Sequence, residues 1–334
     1  MSKGRFDNPI VAALSGFFDL FRAQPLAARL TSKDSFSGRT VIITGANSGL
    51  GYALAQEAAA WEAKVIACGR RQLEQTLTRI NEKVPQGDVS TMLLDLSDLT
   101  SIHEFVNKLK ANNVKVDVLY LNAATTLPEA RQLPNGQDEM FFVNYLANFI
   151  LVNLLIEAGC LSHERQPRII FISSDSHQGA SEIDYDEFGR FFSYGVSKAI
   201  NNYSYFKLVL NTFAIELSRR LNPETVVTQV NVICPGPVNT NIIKEAPFLL
   251  RAMLRAIFTV IFKSPEKAAL PAIYLGISED FENRSGEYLH MFREKQMDKK
   301  VYLPDAGARL WEESWKLWQS LEADVSRKIA SGKA

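Results

Sequence analysis

The chain has 334 residues, 46% hydrophobic and 22% charged, a composition typical of a globular protein that buries a large core. Its 37 basic and 37 acidic side chains cancel, which argues against nucleic acid as a partner, because no net positive field would attract it. Three cysteines and four histidines are dispersed, without a CxxC pair or a His cluster. This pattern argues against a metal site and predicts a reduced, cytoplasmic protein.

An apolar stretch near the N-terminus, Pro9–Phe21, is too short and too often interrupted by polar residues to span a bilayer. Its large apolar residues recur at helical spacing, which predicts an amphipathic arm over residues 1–37. The stripe consists of Ile10, Leu14, Phe17, Phe18 and Phe21. Two alternatives stay open for it: packing against the protein's own body or a second copy in a homodimer, and peripheral contact with a membrane surface.

From Thr40 onward, short apolar runs alternate with longer amphipathic stretches, as in a parallel sheet whose strands are joined by helices. The predicted strands are Thr40–Thr44, Lys64–Cys68, Thr91–Leu94, Val116–Leu121, Arg168–Ser173, Val226–Val232 and Glu287–His290. The predicted helices are Gly49–Trp61, Gln72–Val84, Asp98–Asn112, Asp138–Cys160 and Tyr194–Leu221. The sequence therefore predicts an α/β fold of the doubly wound Rossmann type, with about seven parallel strands and helices on both faces.

No linker, repeat or low-complexity tract interrupts the alternating pattern, so one domain is expected over residues 38–295. Residues 296–334 form a predicted C-terminal helical extension, with a helix near Asp305–Lys328.

The first strand leads directly into a turn with GxxxGxG spacing, at which a helical pattern begins. Glycines at such a turn let backbone N–H groups at a helix N-terminus approach a pyrophosphate. The turn predicts a dinucleotide site formed by Gly45, Asn47, Ser48, Gly49, Leu50 and Gly51.

The second strand is followed by Gly69, Arg70 and Arg71, with no carboxylate at the position where an NAD site usually binds the ribose 2′-hydroxyl. Because a guanidinium can hold a 2′-phosphate through charge-assisted hydrogen bonds, Arg70 favours NADP(H) as the cofactor.

Two Tyr-x-x-x-Lys pairs, Tyr194/Lys198 and Tyr203/Lys207, occur in the same predicted helix. They lie nine residues apart, about 2.5 turns, so they point to opposite sides of the helix and only one can face the cofactor. Ligands of parallel sheets bind beyond the carboxyl ends of the strands. We therefore expect the pair at the helix start, Tyr194 and Lys198, to be the reacting one.

A phenol beside an ammonium is suited to carbonyl reduction, which needs a proton donor at the developing alkoxide. The ammonium favours the phenolate and is expected to lower the tyrosine pKa. Ser174, at the end of the fifth strand, can hydrogen-bond the substrate oxygen, and Asn144 is a candidate fourth member of the site.

With these motifs in order, the chain resembles a short-chain dehydrogenase/reductase between about residues 38 and 290. The resemblance implies that Tyr194 is the general acid/base, that Lys198 holds the nicotinamide ribose, that Ser174 orients the substrate and that Asn144 shapes a water-linked proton relay. It also implies further cofactor contacts from Asp95, Leu96, Asn122, Ala123, Pro235, Gly236, Val238 and Thr240. The family pattern Asn-Asn-Ala-Gly is here Leu121-Asn122-Ala123-Ala124, which puts local cofactor contacts in doubt.

Within the family, the long N-terminal arm and the Trp-rich C-terminal helix are similar to the retinol-dehydrogenase-like branch and its fungal biosynthetic relatives. An apolar lid is expected at about residues 238–263, where Phe248, Leu249 and Leu250 stand. Such a lid is suited to a large apolar substrate, although packing in a dimer or against a membrane remains an equal alternative.

The predicted activity is NADPH-dependent reduction of a ketone or aldehyde on an apolar metabolite, such as a biosynthetic ketoreductase performs. The alternatives are an NADP⁺-dependent alcohol dehydrogenase acting on a retinol- or steroid-like substrate, and a non-catalytic NADP(H)-binding protein. The intact Ser174, Tyr194 and Lys198 argue against the last.

Overall fold

The computed structural model describes Leu30, residues 34–236 and residues 264–330. The predicted amphipathic stripe at the N-terminus and the predicted lid both lie outside these residues. The eight strands are β1 (Thr40–Ile43), β2 (Lys64–Gly69), β3 (Asp88–Leu93), β4 (Val118–Leu121), β5 (Arg168–Ile172), β6 (Gln229–Cys234), β7 (Tyr288–His290) and β8 (Arg293–Glu294). The longer helices are α1 (Gly49–Ala60), α2 (Leu73–Lys83), α3 (Leu99–Ala111), α4 (Glu139–Glu157), α5 (Val196–Leu221), α6 (Pro265–Ile277) and α7 (Pro304–Ala330).

All eight strands form one sheet in the order β3-β2-β1-β4-β5-β6-β7-β8. The first seven strands run parallel, as predicted. The eighth, β8, is an antiparallel edge strand that was not predicted. The chain moves outward from β1 to β3 and then returns to place β4 on the other side of β1. The carboxyl ends of β1 and β4 therefore border the crevice at which doubly wound folds bind ligands.

Alternating residues of the central strands build a core on each face of the sheet. In β1, Val41 and Ile43 pack in the layer that contains α1 and α6, whereas Ile42 packs in the layer that contains α3, α4 and α5. Burial on both faces explains why these strands read as continuous apolar runs rather than as alternating ones. The doubly wound prediction is confirmed.

Helix α4 (Glu139–Glu157) has the length and hydropathy of a membrane span, yet 83% of its apolar window is buried in the protein's own core. Its N-terminal half contains a π-helical segment, Phe142–Leu146. Core packing accounts for the apolar composition of this helix.

Candidate active site

A cleft of about 450 Å³ lies at the carboxyl ends of the parallel strands. Its walls come from the glycine turn after β1, the residues after β2 and β4, the end of β5 and one side of α5. These are segments distant in the sequence that the strand order brings to one edge of the sheet.

The glycine turn leaves the N-terminus of α1 open to this cleft. Gly45 and Gly49 have positive φ angles of 68° and 57°, and a Cβ added at Gly51 would lie 2.3 Å from the carbonyl oxygen of Gly45. Ser48, the N-cap, makes no side-chain cap hydrogen bond, and the first turn of α1 contains no acidic residue. The unpaired N–H groups and the positive end of the helix dipole therefore suit a diphosphate.

Hydrogen bonds fix the turn against the loop that follows β4. The Thr44 hydroxyl accepts the backbone N–H groups of Asn122 and Ala123 at 2.9 and 3.0 Å, and the Asn122 side chain donates to the Thr44 carbonyl at 2.9 Å. The chain departs from the family pattern at Leu121 and Ala124. These two residues flank the hydrogen-bonded Asn122 and Ala123 and do not interrupt their bonds to Thr44.

At the end of the cleft next to β2 and β3, one wall is basic and the other is acidic. Arg70 and Arg71 line it after β2, and Asp95 lines it after β3. The Asp95 carboxylate accepts the backbone N–H and the hydroxyl of Ser97, at 2.9 and 2.6 Å, which holds it in place. Two guanidinium groups are therefore placed here to bind the 2′-phosphate of a nucleotide.

The opposite end contains Ser174, Tyr203 and Lys207. Lys207 is 3% exposed, and its Nζ donates to the carbonyl of Ile172, the last residue of β5, at 2.8 Å. The same Nζ lies 5.6 Å from the centre of the Tyr203 ring. A phenol, an ammonium and a hydroxyl thus occur together at the sheet edge, the set that acid/base chemistry on a carbonyl requires.

Burial shifts the pKa values of this pair in opposite directions. It raises the pKa of Tyr203, with a smaller contribution from the neighbouring Cys234, and it lowers the pKa of Lys207 to about 8. Tyr203 is therefore protonated at neutral pH. The lowering of the pKa expected for the tyrosine of the reacting pair is not seen at Tyr203.

The structure places Tyr194 and Lys198, the pair expected to react, away from the cleft. Neither residue lines the cleft, and α5 begins at Val196, so Tyr194 precedes the helix. The Tyr194 hydroxyl is buried and has no hydrogen-bond partner among the described residues, and its pKa is raised by burial and by Asp138 and Glu139. The Lys198 side chain is exposed.

Helix α5 begins beyond the carboxyl end of β5. Lys207 is level with the end of β5, and Lys198 stands nine residues earlier, about 13 Å further along the helix axis at 1.5 Å per residue. The expectation for Tyr194 required the start of α5 to be level with the carboxyl end of β5. In the structure, the Tyr203/Lys207 pair, more than two turns into the 26-residue helix, lies at the end of the five-residue strand. The relative heights of helix and strand follow from tertiary packing, which the spacing of the two pairs does not reveal.

Asn144 lies within the π-helical segment of α4, outside the cleft wall. Its Oδ1 accepts the Thr125 N–H at 2.7 Å, and its Nδ2 donates to the Thr125 carbonyl at 2.8 Å. Since Thr125 lines the cleft, these hydrogen bonds connect Asn144 to the cleft wall.

The remaining predicted residues divide into two groups. Those that line the cleft are Gly45, Asn47, Ser48, Gly49, Leu50, Gly51, Arg70, Asp95, Leu96, Asn122, Ala123, Ser174, Pro235 and Gly236. Val238 and Thr240 lie outside the described residues. Residues that line the cleft without having been predicted include Arg71, Thr125, Leu127, Glu139, Val143, Tyr203, Lys207 and Cys234. Among the described residues, no group of three His, Cys, Asp or Glu side chains is arranged to hold a metal.

Comparison with known proteins assigns the chain to a family. The short chain dehydrogenase family matches residues 39–247. The chain is 33% identical to mouse retinol dehydrogenase 13, over 95% of each chain. It is 30% identical to human polyprenol dehydrogenase, over 86% of this chain and 87% of the relative.

Solved structures share the fold. A protein from Mycobacterium paratuberculosis superposes with a TM-score of 0.66 at 25% identity, covering 85% of this chain and 94% of that one. Pseudomonas aeruginosa RhlG, solved as a complex with NADP, gives a TM-score of 0.60 at 23% identity, covering 80% and 98%. The chain therefore belongs to the short chain dehydrogenase family, in its retinol-dehydrogenase-like branch, and is an NAD(P)-dependent oxidoreductase acting on CH–OH or C=O groups.

Proposed function

We propose that the protein uses NADP(H) to interconvert the carbonyl and alcohol forms of an apolar metabolite, with Tyr203 as the general acid/base. One observation carries this proposal: Tyr203, Lys207 and Ser174 line the same cleft as the glycine turn and the basic residues after β2.

The cofactor assignment is supported by the fit of the cleft. The glycine turn leaves room for a diphosphate where a side chain at Gly51 would collide with backbone, and Arg70 and Arg71 stand where a 2′-phosphate would lie. The related fold of RhlG was solved with NADP, as was the angucycline C-6 ketoreductase LanV. When bound, the nicotinamide supplies or accepts the hydride.

The protein's own residues handle the proton. Tyr203 donates its phenolic proton to the substrate oxygen in the reductive direction, for which its raised pKa keeps it protonated. The Ser174 hydroxyl donates a hydrogen bond to the same oxygen and stabilises the charge that develops there. Lys207, held by the Ile172 carbonyl, places a positive charge beside the phenol as the proton leaves.

The substrate class is inferred from the relatives. Two of them are named for retinol and polyprenol, both long apolar alcohols. Leu127 and Val143 contribute apolar surface to the cleft, although the predicted lid lies outside the described residues. Retinol and polyprenol are named as alcohols, so oxidation with NADP⁺ is the second candidate direction for the same site.

Turnover of matched substrates tests this function. The purified protein is given NADPH with retinal, with a prenyl aldehyde and with glyceraldehyde, and NADP⁺ with the corresponding alcohols. We expect kcat/KM at least about tenfold higher for the two apolar aldehydes, as burial of several methylenes would produce. A preference for glyceraldehyde would overturn the substrate class, and absence of turnover with every pair, with NADPH binding intact, would favour a non-catalytic binding protein.

A further inference from the structure

A buried carboxylate stands in the wall of the cofactor cleft, between two arginines. The Glu139 side chain is 5% exposed. Its Oε1 lies 4.0 Å from Arg70 Nη1, and its Oε2 accepts a hydrogen bond from Arg131 Nη1 at 3.0 Å. Glu139 and Arg70 both line the cleft, and Arg131 stands behind the carboxylate, outside the lining.

The backbone fixes this carboxylate in place. The Glu139 N–H donates to the Arg131 carbonyl at 2.9 Å, which ties the start of α4 to the loop after β4. Capping of α4 does not need Glu139, because the Asp138 side chain accepts the Phe141 N–H at 2.9 Å. Glu139 is thus a charged group in the cleft wall whose carboxylate is engaged by arginines and is not the cap of its helix.

We propose that Glu139 sets the affinity for the phosphorylated cofactor by competing with the 2′-phosphate for the guanidinium of Arg70. The inference rests on the proposed use of NADP(H). The carboxylate lies 4.0 Å from the guanidinium, and an arriving phosphate displaces that contact and is repelled by the fixed negative charge. Arg131 limits the competition, since it neutralises the same carboxylate from the other side.

Variants of Glu139 and of its partner Arg131 should have opposite effects on NADPH binding. Glu139→Gln removes the competing charge while keeping a side chain of the same shape, so NADPH should bind about three- to tenfold more tightly, the range of a partly screened charge pair. Arg131→Gln removes the compensating cation and should weaken NADPH binding by a similar factor. NADH lacks the 2′-phosphate, and its Kd should change less than about twofold in either variant.

The measurement is equilibrium binding of NADPH and NADH by calorimetry at low and at moderate salt, with circular dichroism of each variant. Opposite signs for the two variants cannot arise from general structural damage, which would weaken both. We expect the differences to shrink as salt rises, because the Arg70 side chain is 46% exposed and its charge is screened. Equal or weaker NADPH binding by Glu139→Gln, in a folded protein, overturns the inference.

Arg70→Gln separates this failure from failure of the cofactor assignment. If Arg70→Gln binds NADPH as tightly as the unmodified protein does, the assignment of the 2′-phosphate to Arg70 is wrong and the competition fails with it. If Arg70→Gln loses the preference for NADPH while Glu139→Gln shows no gain, the cofactor assignment stands and only the role of Glu139 is rejected.

Discussion

At the scale of single residues, Lys207 is a buried charged side chain in the wall of the cleft. Lys207 is 3% exposed, and its Nζ donates to the Ile172 carbonyl. Withdrawal from water disfavours the ammonium and lowers its pKa to about 8, while the same burial disfavours the phenolate of Tyr203 and raises its pKa. Over the pH range near 8, Lys207 is therefore the member of the pair that changes charge.

This difference predicts the pH dependence of carbonyl reduction. As the pH rises through about 8, Lys207 loses its proton and with it the positive charge beside Tyr203. We expect kcat/KM to be level at neutral pH and to fall above about pH 8. Lys207→Arg, whose guanidinium stays charged, should be slower but should lack this decline. A kcat/KM that climbs steadily to pH 10 in the unmodified protein would contradict the assignment.

At the scale of elements, the sequence predicts best those strands, turns and helices that are determined by apolar patterning and by glycine. The run before Gly45 and the glycine spacing after it predicted β1, its turn and α1 almost to the residue. The start of β6 was misplaced, because Asn222 Oδ1 accepts the N–H groups of Val227 and Thr228 and holds them in the preceding loop. The Asn222 contact is tertiary, and apolar patterning does not reveal it.

Two further elements differ in whether the sequence contains a signal for them. Helix α6 was not predicted, although Ser264 as N-cap, Pro265 in the first turn and Glu266 form a recognisable helix start. The π-helical segment Phe142–Leu146 had no such signal. It is accompanied by Asn148, whose Nδ2 donates to the Val143 and Asn144 carbonyls at 3.2 and 3.3 Å, and that pairing follows only from the folded geometry.

The π-helical segment gives a prediction about Asn144. Asn144→Asp keeps the shape of the side chain but turns an oxygen toward the Thr125 carbonyl in place of the donating Nδ2. We expect a loss of about 1–3 kcal/mol in the free energy of unfolding, the cost of an unsatisfied buried polar group. NADPH should also bind more weakly, since Thr125 lines the cleft. Urea denaturation and calorimetry measure the two effects, and unchanged values for both would refute the proposed role of Asn144.

At the scale of the whole molecule, the C-terminal helix is part of the main core. Leu310, Trp318 and Leu321 of α7 are buried in the same cluster as Phe149 of α4 and Phe213 of α5. The ring centres of Phe149 and Phe213 lie 5.1 and 6.0 Å from that of Trp311. Packing of this kind couples α7 to the two helices that carry Asn144, Tyr203 and Lys207.

We therefore expect α7 to unfold together with the sheet. Leu310→Ala should lower the free energy of unfolding by about 2–5 kcal/mol, the range for truncating a buried leucine, in a single cooperative transition. Gln319→Ala, on the exposed side of the same helix, should change it by less than about 0.5 kcal/mol. A separate early transition in Leu310→Ala, with the main transition unmoved, would mean that α7 is only loosely attached.

The proposed role of Tyr203, rather than Tyr194, as the general acid/base is tested by the paired variants Tyr203→Phe and Tyr194→Phe. Each is assayed for turnover with NADPH and an apolar aldehyde, alongside NADPH binding by calorimetry. We predict that Tyr203→Phe loses at least about 100-fold in kcat, the usual contribution of a positioned acid, with the Kd for NADPH nearly unchanged. Tyr194→Phe should retain turnover within about threefold, since Tyr194 is outside the cleft wall. Loss of turnover in Tyr194→Phe with full activity in Tyr203→Phe would contradict the account.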